Sequence, residues 1–327
     1  MSLPSPAPPP DPGARLDAVA AGGKAALARL LAEIEARAGD PATAALLDAA
    51  LARTRAPVIG LTGPPGVGKS TLTDALMRKA RARGLTVGVV AVDPSSRRTG
   101  GALLGDRTRM ARDPADPGVF VRSMAARDRL GGIAEQTFPA VVVMGALMDR
   151  VIVETVGVGQ SETEIAGIAD TVVVCAQPGA GDTLQAMKAG LMEIPDIVAV
   201  TKADLGETAR RTRADLVSAL GHLPRAGGRE AVEVIAVSAA TGEGIEALVS
   251  RIESVTGGAN HPQVAERDRS ARRRDQAEAW LRVAVAAEFG RSGLAAFDAG
   301  RTGRSGAQPF SDGARFLLRH AERIAVR

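Results

Sequence analysis

Eight consecutive residues, Gly63 to Ser70, have the spacing G-x-x-x-x-G-K-S directly after an apolar run and before an amphipathic segment. Glycines at these positions let backbone amides turn inward around phosphate oxygens, and the N-terminus of the following helix adds positive potential. We expect Lys69 to bridge the β- and γ-phosphates of a nucleotide and Ser70 to offer its hydroxyl to Mg²⁺. The pattern predicts a nucleotide site formed by Gly63, Pro64, Pro65, Gly66, Val67, Gly68, Lys69, Ser70 and Thr71.

Carboxylates that could hold the magnesium ion follow two apolar runs, and a third lies on a predicted loop. Asp93 and Glu154 each end a predicted strand, whereas Asp106 lies between Gly105 and Arg107. Each could reach the metal directly or through water. A helix cap or a surface acid is the simpler interpretation of any one of them. We predict a metal set of Ser70, Asp93, Asp106 and Glu154.

The base of the nucleotide is indicated by two later segments. In Thr201-Lys202-Ala203-Asp204, the Asp204 carboxylate can accept two N–H donors from the Watson–Crick edge of guanine, a pair that adenine lacks. The Lys202 stem can lie along the base. A backbone N–H of the later segment Ser238, Ala239 and Ala240 can meet guanine O6. A lone T-K-x-D is often an exposed helix start, but both segments follow apolar runs, and together they favour GTP over ATP.

The segment after Glu154 is predicted to report on the γ-phosphate. The Gly157 amide can contact that phosphate, and Val158 stands where many small GTPases place a water-orienting Gln. Hydrolysis without a partner is therefore expected to be slow. Gln160 is the hypothetical substitute for the missing Gln after a conformational change. The predicted catalytic residues are Lys69, Asp93, Glu154, Gly157 and Gln160.

Short apolar runs bounded by turn residues recur along the middle of the chain. The predicted strands cover residues 58–62, 87–92, 119–122, 151–154, 172–175, 197–200 and 232–237. Segments with helical spacing separate several of them, at residues 70–83, 134–148 (which Pro139 should kink or divide) and 208–220. Because most of the strands show no polar alternation, we expect them to be buried on both faces of a sheet. The pattern predicts an α/β domain with a doubly wound, mostly parallel sheet.

The remaining segments are predicted to be helical. Helical spacing covers residues 14–38, and a second helix is expected after Asp40, an N-cap followed by Pro41. We predict a disordered tail, a helical N-terminal extension, the nucleotide-binding domain and a helical C-terminal arm at residues 1–12, 13–55, 56–256 and 257–327.

Composition limits the class of protein. Of 327 residues, 45% are hydrophobic and 24% charged, which is typical of a globular protein with a sizeable core. Aromatic residues make up 2% and the formal charge is +4, so nucleic-acid binding is not expected. A single cysteine excludes an internal disulfide and suits a reducing compartment. We find no apolar run long enough for a membrane span and no secretory signal, so a cytoplasmic location is expected.

These motifs together resemble one family, the methylmalonyl-CoA mutase-associated GTPases of the MeaB or ArgK type, which are SIMIBI-class P-loop GTPases. The similarity covers most of the chain, and its most specific element is the stretch E-T-V-G-V-G-Q-S-E from Glu154 to Glu162. It also includes Asp93-Pro94-Ser95-Ser96, the segment from Gly105 to Met110 and the segment from Gln177 to Asp182. One residue departs from the family: Thr201 stands where Asn is usual, which slightly weakens the inference of guanine selectivity.

The resemblance implies a chaperone GTPase that gates delivery of adenosylcobalamin from an adenosyltransferase to methylmalonyl-CoA mutase or a related acyl-CoA mutase. It also implies that the chaperone helps to release inactivated cofactor and that the mutase accelerates GTP hydrolysis. GTP or GDP and Mg²⁺ are then the cofactors, and no direct cobalamin binding is expected. Asp182, Gln185 and Lys188 resemble the family's third switch; a helix cap and a solvated lysine are the alternative. The segment from Arg272 to Trp280 resembles a dimerisation arm, whereas a core Trp280 within one chain is the alternative.

Two other functions share this kind of nucleotide site. A metal-insertion GTPase for nickel enzymes would need a Cys/His cluster, but Cys175, His222, His261 and His320 are widely scattered. A small-molecule kinase, as the ArgK label suggests, would need an acceptor site and a base that the sequence does not reveal. A preference for GTP over ATP would favour a GTPase that acts as a molecular switch over a small-molecule kinase.

Overall fold

The computed structural model describes residues 11–94, 115–126, 136–155, 164–179, 195–221, 231–257, 262–301 and 308–324. The chain divides into two compact units. One consists of Arg55–Arg272 and contains the sheet, and the other consists of Met1–Thr54 together with Arg273–Arg327. The division of the chain at residues 55 and 256 remains a prediction.

The sheet of the first unit has seven strands, and all of its pairings are parallel. Along the sheet the strand order is β3-β2-β4-β1-β5-β6-β7. The strands are β1 (Val58–Thr62), β2 (Val87–Pro94), β3 (Val119–Ala126), β4 (Arg150–Glu154), β5 (Thr171–Ala176), β6 (Ile197–Val200) and β7 (Glu233–Ala236). The predicted α/β class with a parallel sheet is therefore confirmed.

The strands are buried because their apolar side chains point to both covered faces. In β1, β5 and β6 every residue is buried. The core around the central strands is built from branched aliphatic side chains such as Leu61, Ile152 and Val173, each at most 2% exposed. This composition explains the absence of polar alternation along these strands in the sequence.

In the described parts of this unit, helices follow β1, β3, β6 and β7, and such crossover helices are the usual connection in a parallel sheet. They are α3 (Lys69–Ala82), α4 (Thr137–Leu147), α5 (Glu207–Gly221) and α6 (Ile245–Val255). The expectation that Pro139 would kink or divide a helix over 134–148 is wrong for the described part of that segment. Because α4 begins at Thr137, Pro139 falls in its first turn, where a backbone N–H has no partner within the helix.

The second unit is helical and joins both ends of the chain. It contains α1 (Pro12–Ala36), α2 (Pro41–Arg53), α8 (Pro309–Ile324) and residues 273–301 of α7 (Pro262–Arg301). Asp40 caps α2 as predicted, since its Oδ1 accepts from the N–H of Ala42 at 2.7 Å. Helix α1 begins at Pro12 after its cap Asp11, one residue before the predicted start of the helical extension. Residues 1–10 lie outside the described ranges, so the disordered tail remains a prediction.

Trp280 packs inside the helical unit. Its ring lies 5.5 Å from the ring of Phe310 on α8, and it contacts a cluster of Leu281, Val285 and Phe297. These contacts favour a core role for Trp280 within one chain, and dimerisation through the C-terminal arm remains a prediction. Among the described helices, none combines the length and the hydropathy needed to cross a membrane.

Candidate functional site

The loop between β1 and α3 is shaped by glycines in conformations that other residues rarely adopt. Gly63, Gly66 and Gly68 have φ angles of 137°, 75° and 104°. At Gly63 a Cβ atom would also lie 2.4 Å from the carbonyl oxygen of Cys175, so no side chain fits there. The following helix has no side-chain cap at Gly68, which leaves its N-terminal amides suited to an anion.

Lys69 is the first residue of α3, and its ammonium group turns back over the loop. Its Nζ donates to the carbonyl oxygens of Gly63 at 2.7 Å and of Pro64 at 3.0 Å. The residue is 7% exposed, so the charge is held close to the loop rather than in solvent. A cation fixed at this point of a glycine-rich turn is suited to bind the phosphates of a nucleotide.

Glu154 at the end of β4 accepts hydrogen bonds from two hydroxyls of α3. Ser70 Oγ donates to Glu154 Oε1 at 2.5 Å, and Thr73 Oγ1 donates to Oε2 at 3.0 Å. Glu154 pairs in register with Leu61, next to the last residue of β1, so it lies beside the phosphate-binding loop. A carboxylate and a hydroxyl are the hard oxygen donors that Mg²⁺ prefers, and Ser70 and Glu154 therefore fit this ion.

The structure does not show the other predicted metal and switch residues at this site, because their side chains lie outside its described part. Asp93 lies in β2, where its backbone pairs with Ala125 of β3, and its side chain is outside the description. Six further predicted residues lie outside the described ranges altogether: Asp106, Gly157, Gln160, Asp182, Gln185 and Lys188.

The predicted base-binding segment follows β6 and contacts the phosphate-binding loop. Thr201 is 4% exposed, and its Oγ1 donates to the carbonyl oxygen of Val67 at 2.7 Å. Lys202 adopts a left-handed conformation with a φ of 54°, and its Nζ donates to the Gly66 carbonyl oxygen at 3.3 Å. Asp204 is exposed in the 3₁₀ turn Ala203–Leu205. The segment thus presents one carboxylate outward while Thr201 supports the loop from inside.

The second predicted base-binding segment is a tight turn after β7. The Ser238 N–H donates to the Glu243 carbonyl oxygen at 2.9 Å, and Ser238 Oγ accepts from the N–H of Thr241 at 3.2 Å. The N–H of Ala203 donates to the Val237 carbonyl oxygen at 3.0 Å, which joins this turn to the segment of Asp204. Ala240 is exposed and Ala239 half-buried on the turn.

Cys175 lies under the phosphate-binding loop, and its buried thiol is expected to be unreactive. Burial raises the pKa of its thiol to about 12; the nearby Lys69 cation acts in the opposite direction. A thiol with this pKa is protonated at neutral pH and is a poor metal ligand. Within the described ranges, no group of three or more His, Cys, Asp or Glu residues is placed to hold a metal ion.

Three threonines at the site were not found by sequence reasoning. Thr73 binds Glu154 as described above, and Thr155 Oγ1 donates to Thr62 Oγ1 at 2.9 Å between the ends of β4 and β1. The signal for Thr73 was its spacing of three residues from Ser70, which places both on one helix face. The Thr62–Thr155 pair depends on the register of two strands far apart in sequence, for which the sequence carries no signal.

Comparison with known proteins is consistent with a nucleotide-binding site of this kind. A family model described as methylmalonyl-CoA mutase-associated GTPase MeaB matches residues 27–296. The chain is similar to a mouse protein, methylmalonic aciduria type A homolog, mitochondrial (Mus musculus), with 38% identity over 226 residues, 68% of this chain and 54% of that protein.

A protein of Pyrococcus abyssi (strain GE5 / Orsay) is 59% identical over 148 residues, 45% of this chain and 46% of its own length, so the match spans less than half of that relative. A crystal structure of a LAO/AO transport system kinase has a TM-score of 0.61 at 26% identity and covers 94% of this chain and 99% of that one. The family match extends over most of the 327 residues and includes the phosphate-binding loop, Glu154 and Asp204. The chain therefore belongs to the family of methylmalonyl-CoA mutase-associated GTPases of the MeaB type.

Proposed function

We propose that this chain hydrolyses GTP to GDP and phosphate and thereby gates delivery of adenosylcobalamin to a cobalamin-dependent acyl-CoA mutase, with methylmalonyl-CoA mutase as the first candidate. The observation that supports it most is the contact between Ser70 and Glu154. This contact joins the phosphate-binding loop to the end of β4, where the segment of residues 154–162 begins. The family match supports the choice of client.

The chain's own residues account for the binding of the phosphates. The amides of the loop from Gly63 to Gly68 would surround phosphate oxygens, and the N-terminus of α3 favours their negative charge. Lys69 would exchange its two carbonyl partners for oxygens of the β- and γ-phosphates. When bound, Mg²⁺ would neutralise charge between these phosphates, and Ser70 and Glu154 are the described residues that would hold it.

Guanine would be recognised by Asp204, whose exposed carboxylate can accept from both N–H donors on the Watson–Crick edge. Lys202 would lie along the base from its position above Gly66. The turn from Ser238 to Ala240 would supply an N–H to the base oxygen. Because the N–H of Ala203 donates a hydrogen bond to the Val237 carbonyl oxygen, the segment of Asp204 and the turn after β7 can act as one recognition surface.

Hydrolysis would proceed by in-line attack of water on the γ-phosphate, with the phosphoryl group leaving the β-phosphate oxygen of GDP. We assign the Gly157 amide to the γ-phosphate and Gln160 to the water, and Val158 makes the reaction slow without a partner. Loss of the phosphate would release residues 154–162, and Asp182, Gln185 and Lys188 would transmit that change to the mutase. The chaperone would in this way also protect or reactivate its client.

The wider assembly follows from the same proposal. The chain would work as a homodimer in the cytoplasm, with the mutase and the cobalamin adenosyltransferase as partners. The mutase would accelerate GTP hydrolysis, and the chain would control transfer of cobalamin from the adenosyltransferase without binding it directly.

The test is GTP turnover by the purified protein with and without a cobalamin-dependent acyl-CoA mutase, alongside Lys69→Ala. We expect slow basal turnover, acceleration by the mutase, and loss of both turnover and nucleotide-dependent cofactor gating in the variant. A wild-type rate that no such mutase changes would refute the client assignment. Gating that survives in Lys69→Ala would refute a role for the nucleotide cycle.

A kinase is the second candidate, because a structure similar to this chain over 94% of its length is named a transport system kinase. The two functions differ in where the γ-phosphate goes. A GTPase releases inorganic phosphate in equal amount to GDP, whereas a kinase transfers the phosphate to an acceptor. Measuring phosphate release against GDP formation, with ATP in parallel, separates them.

A further inference from the structure

The buried Glu154 carboxylate needs more hydrogen-bond donors than Ser70 of the nucleotide motif supplies. The residue is 6% exposed at the end of a buried strand, and an ionised carboxylate in such a place is costly unless it is hydrogen-bonded. Ser70 supplies one donor, to Oε1. The second oxygen, Oε2, needs a donor of its own.

Thr73 supplies that donor. Its side chain is fully buried, and its Oγ1 lies 3.0 Å from Glu154 Oε2. A threonine inside a helix commonly donates to the carbonyl oxygen one turn earlier in the same helix. Here the hydroxyl donates across to β4 instead, so its proton serves the carboxylate and not the helix backbone.

The two hydroxyls fix the carboxylate from one helix face. Ser70 and Thr73 are three residues apart on α3, so they lie one above the other in its first two turns. Each oxygen of Glu154 therefore accepts from a different hydroxyl of α3, and rotation of the carboxylate about its last bond would break both contacts. Ser70 belongs to the nucleotide motif, whereas Thr73 lies deeper in the interior and fixes the orientation without reaching the phosphates.

We propose that Thr73 is a positioning residue for the divalent cation site: it holds Glu154 in the rotamer that presents Oε1, together with Ser70, to the ion. The proposal rests on the proposed function, in which Ser70 and Glu154 hold Mg²⁺. Residues that orient a ligand from behind it commonly change metal affinity by about 10- to 100-fold when they are removed.

The decisive variant is Thr73→Val, which keeps the shape of the side chain and removes the hydroxyl. Thr73→Ser keeps the hydroxyl, and Thr73→Ala removes it without adding bulk should valine not be accommodated. Thr137→Val is the matched control, because Thr137 is fully buried in α4 and its Oγ1 has no hydrogen-bond partner in the described structure.

The measurement is the release rate of a fluorescent GDP analogue as free Mg²⁺ is varied, which requires no hydrolysis. We expect the Mg²⁺ concentration that half-maximally slows release to rise about tenfold in Thr73→Val and Thr73→Ala. It should stay within about twofold of wild type in Thr73→Ser and Thr137→Val. In EDTA the release rates of all variants should match, because Thr73 acts only through the carboxylate.

Three results would overturn the inference: an unchanged Mg²⁺ dependence in the valine and alanine variants, an equal shift in the serine variant, or faster release in EDTA. The last would mean that Thr73 supports the loop as a whole rather than the metal site. If wild-type release does not depend on Mg²⁺ at all, the assignment of Mg²⁺ to Ser70 and Glu154 fails and the inference fails with it, whereas GTP turnover tests the proposed function separately.

Discussion

The hydroxyl of Thr201 lies 2.7 Å from the carbonyl oxygen of Val67, which joins the base-binding segment to the phosphate-binding loop across 134 residues of sequence. The same hydroxyl lies 3.1 Å from the carbonyl oxygen of Ala176, at the end of β5. Because the side chain is 4% exposed, water cannot readily replace either contact. The position of the base-binding segment is therefore tied to the shape of the loop that binds the phosphates.

We predict that Thr201→Val weakens GDP binding about tenfold. The valine leaves the Val67 carbonyl oxygen without this donor, and a lost buried hydrogen bond costs about 1–3 kcal/mol. A loss of about 1.4 kcal/mol in binding free energy corresponds to a tenfold loss of affinity. Thr201→Ser and Thr201→Asn, the latter restoring the residue usual in the family, should bind close to wild type. Isothermal titration with GDP measures all three, and wild-type affinity in the valine variant would exclude the role of this contact.

A second prediction concerns the choice of base. In Asp204→Asn the carboxylate becomes a group with one acceptor and one pair of donors, which matches xanthine better than guanine. We expect GTP affinity to fall roughly 10- to 100-fold, from the loss of charge-assisted hydrogen bonds of about 1.5–3 kcal/mol, while XTP affinity rises. Competition of both nucleotides against a fluorescent GDP analogue tests this. Equal losses for GTP and XTP would mean that Asp204 does not read the base.

The sheet could be predicted from sequence because each strand carries its own signal. The run 197–200 is apolar over its whole length and the run 58–62 is apolar except for Thr62, and β1 and β6 have these bounds. The cap at Asp40 and the turn around Gly63 are equally local, since an acceptor before Pro41 and a glycine with positive φ act within a few residues. These features follow from short-range sterics and hydrogen bonding.

Contacts that join distant segments could not be predicted in the same way. The bond from Thr201 to Val67 and the bond from Thr73 to Glu154 depend on strand order and register, which the periodicity of a single segment does not encode. The sequence placed Thr201 at the base, whereas its hydroxyl contacts backbone beneath the loop. Trp280 is similar, because its contact with Phe310 requires the middle of α7 to meet the start of α8.

A third prediction concerns Cys175, whose thiol pKa is raised to about 12 by burial. Because the thiolate is the reactive form, we expect the native protein to resist iodoacetamide at pH 8 and the unfolded protein to react readily. Mass spectrometry of samples quenched over time, with and without denaturant, gives both rates. Rapid alkylation of the native protein would show that the strand beneath the phosphate-binding loop opens easily, contrary to its complete burial.

The last prediction concerns the opposite ends of two strands, where Asp149 joins the starts of β2 and β4. Its Oδ2 accepts from the N–H of Thr86 at 2.9 Å and from Thr86 Oγ1 at 2.7 Å. Burial alone would raise the pKa of Asp149, but these hydrogen bonds and the nearby Arg55 and Arg150 outweigh it and hold the pKa below its usual value of 3.8.

A carboxylate whose pKa is lower in the folded state stabilises the fold above the unfolded-state pKa, and this stabilisation is lost as the pH falls through the folded-state pKa. We therefore expect Asp149→Asn to lower the free energy of unfolding by about 1–2 kcal/mol at pH 7, and the difference from wild type to shrink below about pH 4. Urea unfolding between pH 3 and pH 7 measures it, with the exposed Asp215→Asn on α5 as the matched control. A difference that stays constant down to pH 3, or that grows as the pH falls, would show that the charge of Asp149 does not stabilise the junction of β2 and β4.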